Sequence, residues 1–157
     1  MSSSSPRPPR PRPTRAAYKT FFPIETRWTD NDVYGHVNNA RYYELFDSGV
    51  NRVLVGAGLD IHAGPSIALV VESSCRYHAP TTYPERLLVG VRVDHLGTSS
   101  IVYGVAVFSE SSDEAAADGS FVHVFVDRAT RRPVPLPPAI RVALEALRAP
   151  PAAGPSA

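Results

Sequence analysis

Phe22, Ile24, Thr26 and Trp28 alternate with Pro23, Glu25 and Arg27, and then the rhythm stops. A period of two marks a strand with one buried face, and Pro23 places it at a sheet edge or a strand start. A polar stretch follows. Beyond it the spacing changes: Tyr43, Phe46, Val50, Val53 and Leu54 fall on one stripe of a helix about five turns long. Asn38 suits its N-cap, and Gly56 and Gly58 end it. Gly49 sits inside the helix, where glycine costs roughly 1 kcal/mol against alanine and permits close approach of another backbone.

Past a Gly64–Pro65 loop, the pattern predicts four more strands. Ile67, Leu69, Val71, Ser73, Cys75 and Tyr77 alternate along the first. Leu87, Val89, Val91 and Val93 mark the second, and Ile101, Tyr103, Val105 and Val107 the third. In the fourth, Phe121, His123 and Phe125 alternate with Val122, Val124 and Val126, which predicts a central strand buried on both faces. Gly97 and Ser111–Glu114 supply turns, and Pro137 and Pro138 open a short helix bearing Ile140, Leu144 and Leu147. Consecutive strands with short connections imply antiparallel neighbours. One long amphipathic helix against one sheet implies an α+β domain of two layers. The helix then lies across the sheet, with its polar N-terminus near an edge.

Length adds that 157 residues suit one domain. The expected division is a disordered Pro/Arg-rich tail over 1–17, a domain over 18–148 and a flexible tail over 149–157. The first tail distorts the charge. It carries Arg7, Arg10, Arg12 and Arg15 and no acid, so the remainder has 12 basic against 15 acidic residues, about −3. That balance excludes a broad nucleic-acid surface on the domain. No apolar run reaches membrane-spanning length, so no membrane insertion is expected. The start lacks the apolar segment of a secretory signal. Cys75 is the single cysteine, which rules out an intrachain disulfide and a multi-cysteine zinc site and fits a cytoplasmic protein. A buried, inert thiol is its expected state. His62, His78, His95 and His123 are scattered, so no metal is expected. Lys19 is the only lysine, which leaves arginines and backbone N–H groups for any anion.

The polar stretch holds more chemistry than a turn needs. TDNDVYGHVNN, Thr29–Asn39, packs Asp30, Asp32, His36, Asn38 and Asn39 against the helix start. A helix N-terminus presents free N–H groups and partial positive charge, which can polarise a carbonyl. An acid nearby can activate water or attack directly. The structural alternative is that Asp30 and Asp32 only form turns and cap the helix. Glu72, alone in an apolar strand, calls for a partner.

The segment RWTDNDVYGHVNNARYYELFD resembles the active-site segment of hotdog-fold acyl-CoA thioesterases of the 4-hydroxybenzoyl-CoA thioesterase type, with Asp32, Gly35, His36, Val37, Asn38, Asn39 and Tyr42 matching in order. CRYHAPTTYPERLLV and FVDRATRRPVPLP are also similar to stretches of that family, so the resemblance runs from about Tyr18 to Leu147. It implies a hotdog fold, a long helix wrapped by an antiparallel sheet of about five strands, and hydrolysis of acyl-CoA to free acid and coenzyme A. It implies that Asp32 is the catalytic carboxylate and that the Asn39 N–H polarises the carbonyl. His36, where many such enzymes lack a histidine, orients Asp32, contacts substrate or caps the loop. Tyr34, Asn38 and Tyr42 become candidates for substrate binding, with Gly64 from a partner subunit. Arg128 and Arg131 become candidates for the coenzyme A phosphates. A homodimer or homotetramer is expected, without a cofactor beyond the coenzyme A of the substrate. Two other activities fit an acyl-thioester site: an enoyl-thioester hydratase or dehydratase, and a non-catalytic acyl-thioester binder. The hydratase pattern places its histidine five residues after the aspartate, against four here.

Overall fold

The alternation around Phe22 becomes a strand, but a shorter one than expected. In the computed structural model, which describes residues 11–149, β1 spans Thr20–Glu25. Thr26 leaves the strand because its hydroxyl donates to the Glu85 carbonyl at 2.6 Å. Trp28 opens a 3-10 turn, Trp28–Asp30, instead of extending the strand. The chain then enters α1, Arg41–Gly56. There follow β2 (Ser66–Ser73), the two-residue β3 (Arg76–Tyr77), β4 (Arg86–Leu96), β5 (Ser100–Ser109), β6 (Ala117–Asp127) and α2 (Pro138–Glu145). The strands form one antiparallel sheet in the order β1-β4-β5-β6-β2, with β3 also on β6.

Neighbours in sequence are neighbours in the sheet only from β4 to β6. β2 pairs with β6, not with β4, because α1 carries the chain from one edge of the sheet to the other. Sixteen helical residues rise about 24 Å, enough to cross the four spacings between five strands, about 19 Å. The helix packs on β1, β4, β5 and β6. Its buried stripe is Tyr42, Phe46, Gly49, Val50, Val53 and Leu54. Tyr43, expected there, is 38% exposed. Tyr42 replaces it because its hydroxyl finds Thr81 Oγ1 at 2.8 Å inside the core. Gly49 faces β4 so closely that a Cβ would lie 2.6 Å from Val89 Cγ1. Gly58, at φ +99°, follows the last turn.

Two strand expectations are corrected. The run from Ile67 to Tyr77 is not one strand: the register shifts between Val70 and Glu72, and the chain breaks before β3. Ser74 there turns its N–H to the Ser120 carbonyl. The central strand is β5, not β6; Tyr103 through Phe108 are buried on both faces. A second cluster of Tyr18, Ala106, Phe108 and Ala115 covers the outer face there, whereas Val122 and Val124 of β6 are only half-buried.

The expected boundary at residue 17 also moves. Arg12 donates through Nε and Nη2 to the Ala115 carbonyl at 3.0 and 2.9 Å. Arg15 donates to the carbonyls of Ser109, Glu110 and Ser112. Residues 12–17 are therefore docked against the β5–β6 connection, while residues 1–10 and 150–157 of the expected tails lie outside the described residues. Among the described residues, no helix is long and apolar enough to cross a membrane.

Candidate active site

Asp30 fastens the polar loop at its base. Its Oδ2 accepts the Arg27 N–H at 2.8 Å, and its Oδ1 accepts Arg27 Nη2 at 3.0 Å and lies 3.4 Å from Arg41 Nε. Its carbonyl accepts the Asn38 N–H at 2.8 Å. Asp30 is only 7% exposed. Burial alone would raise its pKa, but the Arg27 hydrogen bonds and the Arg27 and Arg41 charges outweigh burial and hold it below the ordinary carboxylate value. This acid stabilises the loop.

Beyond Asp30 the loop doubles back. Asn31 bridges Val37, the Asp32 N–H donates to the His36 carbonyl at 2.9 Å, and the Gly35 N–H donates to the Asp32 carbonyl at 3.1 Å. Gly35 takes φ +80°, which only glycine adopts without strain. Asp32 Oδ1 accepts the Tyr34 N–H at 2.8 Å, and Oδ2 has no partner among the described residues. On the far side, the Val37 N–H donates to the Thr81 carbonyl at 2.8 Å. The loop is thus held from Asp30 on one side and from Thr81 on the other.

Asn38 acts before the helix proper. Its Oδ1 accepts the Ala40 N–H at 2.9 Å, and its carbonyl accepts the Arg41 N–H. The helix N-cap is Ala40, which has no side-chain cap. The Asn39 carbonyl accepts the Tyr77 hydroxyl at 2.8 Å, while the Asn39 N–H has no acceptor among the described residues. An open cleft of about 470 Å³ is lined by Asp32, Tyr34, His36, Val37, Asn39 and Tyr42 on one side and by Tyr77 through Pro80 on the other. Burial raises the Tyr42 phenol, so it remains a hydroxyl at neutral pH.

One chain does not bring every candidate together. Asn38 is absent from the cleft lining because its carboxamide serves the turn. Gly64 and Arg128 meet each other instead: Arg128 Nε donates to the Gly64 carbonyl at 2.6 Å and Nη2 to the Ile61 carbonyl at 2.9 Å. Arg131 occupies the turn after β6 at φ +61°. Glu72 is exposed on β2, so the cost that called for a partner does not arise. Cys75 is half-buried rather than buried, and burial raises its thiol pKa. Among the described residues no group of three or more His, Cys, Asp or Glu is placed to hold a metal.

Sequence reasoning missed the supporting network. Tyr77 and Thr81 hold the loop and Tyr42 from about 40 residues away. Buried Asp118 bonds Arg76 Nη2 and His78 Nε2, both at 2.6 Å. Burial opposes ionisation of Asp118, but those hydrogen bonds and charges keep its pKa below the ordinary value. Nothing in the periodicity of β6 distinguishes Asp118 from a surface acid.

A family model described as the thioesterase-like superfamily matches residues 26–144. The chain belongs to the thioesterase-like superfamily. A solved relative in fold, the PA5185 protein of Pseudomonas aeruginosa, is 54% identical, with TM-score 0.87 over 88% of this chain and 98% of that one. The PA2801 protein of the same organism is 28% identical, with TM-score 0.75 over 81% and 97%. A 1,4-dihydroxy-2-naphthoyl-CoA thioesterase from Synechocystis shares the fold at 20% identity and TM-score 0.72, over 79% and 93%. An L-carnitine dehydrogenase/betainyl-CoA thioesterase of Agrobacterium fabrum is 29% identical over 124 residues, 78% of this chain. The chain spans only about 25% of that curated relative's length. The architecture is the hotdog fold of this thioesterase superfamily, and the expected class, a thioester hydrolase, agrees with that membership.

Proposed function

We propose that this superfamily member hydrolyses acyl-CoA thioesters to free acid and coenzyme A. The observation that carries the reading is that Asp32, with one carboxylate oxygen unpaired among the described residues, and Asn39, with its N–H unpaired among them, line one cleft. The thioester carbonyl oxygen accepts the Asn39 N–H, beside the partial positive charge of the α1 N-terminus. Asp32 takes a proton from water as the water oxygen bonds to the carbonyl carbon. The tetrahedral intermediate then breaks its C–S bond, and the departing thiolate takes the proton that Asp32 holds, which restores the carboxylate. Direct attack by Asp32 is the second route: it gives a mixed anhydride that water opens. His36 lies in the same cleft, free to contact substrate or to orient the reacting groups. The name of the Agrobacterium relative supports a CoA thioester as the substrate class.

The test is thiol release from a panel of acyl-CoAs. Wild type releases coenzyme A, and Asp32→Asn loses at least about 100-fold in kcat, the scale of a catalytic acid or base. A wild type inactive on every ester, or an Asp32→Asn variant that keeps its rate, would sink the reading. Isotope from labelled water entering the Asp32 carboxylate in a single turnover would select the anhydride route.

The same reading calls for a homo-oligomer, at least a dimer. Among the described residues, β2 ends the sheet with no strand on its outer side, and Val70 and Val71 are 48% and 60% exposed there. Unpaired strand edges with apolar side chains are templates for pairing with another chain. A second copy joined through β2 would bury them.

A further inference from the structure

Trp28 is the only tryptophan in the chain and is 77% exposed. An exposed ring that is held in place is available for stacking. It is not loosely held. Tyr83 meets the indole edge-to-face, with ring centroids 5.9 Å apart. The Tyr83 N–H donates to Asn31 Oδ1 at 3.1 Å, and Asn31 Nδ2 donates to Thr82 Oγ1 at 3.1 Å. Thr82 Oγ1 in turn donates to the Gly35 carbonyl at 2.8 Å. The aromatic pair therefore stands on the same bracket that fixes the loop carrying Asp32 and His36, and neither ring lines the cleft itself.

A cation, Arg27, precedes the indole in the chain. Its side chain is 59% exposed. Asp30 takes its Nε and Nη2, and Glu44 lies 3.6 Å from Nη2. Its Nη1 has no acceptor among the described residues. An anchored aromatic face and, one residue before it, a guanidinium with an Nη1 that has no acceptor among the described residues suit a phosphorylated nucleotide: the base stacks on the ring and a phosphate oxygen accepts from arginine.

We infer that Trp28 and Tyr83 form a platform for the adenine of coenzyme A, with Arg27 Nη1 donating to a phosphate of the same nucleotide. This rests on the acyl-CoA reading and deepens it, because a thioester without the nucleotide would forgo these contacts. The cleft admits the reacting end, and the platform holds the distant end of the same molecule.

Because Trp28 is the sole tryptophan, wild-type fluorescence reports the platform directly, whether or not hydrolysis occurs. Titration with adenosine 3′,5′-bisphosphate should quench it saturably, while phosphopantetheine alone should not. Absence of a response to the bisphosphate would overturn the inference. Steady-state kinetics provide the second reading. Trp28→Ala should raise KM for an acyl-CoA about tenfold, within the range of lost base stacking, and by far more than for the N-acetylcysteamine ester of the same acyl group. An equal effect on both esters would overturn it. So would a Trp28→Ala protein that changes sedimentation while wild type ignores the bisphosphate; the patch would then join two copies. Saturable quenching without turnover of any ester would uphold the nucleotide site and sink the hydrolase instead.

Discussion

His123 and Tyr103 are neighbours in the core, ring centroids 5.7 Å apart, and both carry a buried polar atom without a partner: His123 Nδ1 and the Tyr103 hydroxyl. Burial lowers the His123 pKa from 6.5 to about 4. The unfolded chain therefore binds a proton that the folded chain refuses between those values. Proton binding at His123 costs no stability above pH 6.5, and stability falls as pH drops from 6.5 towards 4, by up to about 3 kcal/mol. Asp30 and Asp118 act lower. Their folded values are depressed, so their contribution is present above the unfolded carboxylate value, about 3.9, and is lost as pH falls through the folded values. Denaturant unfolding of wild type and His123→Phe at pH 7.5 and 4.5 should show that the wild type loses more. Equal losses would remove His123 as the cause. At this scale the sequence was informative where chemistry crowds locally. Asp32, His36 and Asn39 announced themselves by density within one loop. Thr81, Tyr77 and Asp118 did not, because their importance lies in partners about 40 residues away.

Along α1, one residue type answers two opposed demands. Gly49→Ala would gain helix propensity, about 1 kcal/mol. It would also place a Cβ 2.6 Å from Val89 Cγ1, a side chain fully buried in β4. Overpacking of this kind costs about 1–3 kcal/mol. The variant should be less stable by about 1 kcal/mol in denaturant unfolding, and Val89→Ala in the same chain should make the alanine less harmful. A more stable Gly49→Ala protein would mean that β4 yields at this contact. The glycine was legible as a place of close approach, but the strand it approaches was not. Only the first position of the helical stripe moved, from Tyr43 to Tyr42, because both fit a 3.6-residue period about equally and a hydroxyl on Thr81 decided between them. The break after β2 was hidden for a similar reason: alternation persists through Ser73, Cys75 and Tyr77 although the backbone turns away.

For the whole molecule, composition and element order specified the architecture but not the strand order. Helix α1 moves the chain to the far edge, and only tertiary packing records that move. The uncovered edge it creates makes a prediction about assembly. Wild type should sediment as a dimer or larger, and Val70→Lys should weaken that association by at least about tenfold, because a charge would be buried where an apolar side chain now waits. A monomeric wild type, or a variant that associates as tightly, would put the interface elsewhere.

The docking of residues 12–17 bears on how the protein can be handled. Tyr18 packs edge-to-face on Phe108, and the Arg15 guanidinium lies over the same ring. That ring and Ala106 and Ala115 are fully shielded, partly by a segment that composition alone marks as dispensable. Shortening the chain to begin after it would leave the loop around Asp32 untouched but uncover the part of that greasy face that Arg15 and Ala17 now shield. Such a clone would fail first by clumping, and its lost yield would be mistaken for a lost active site.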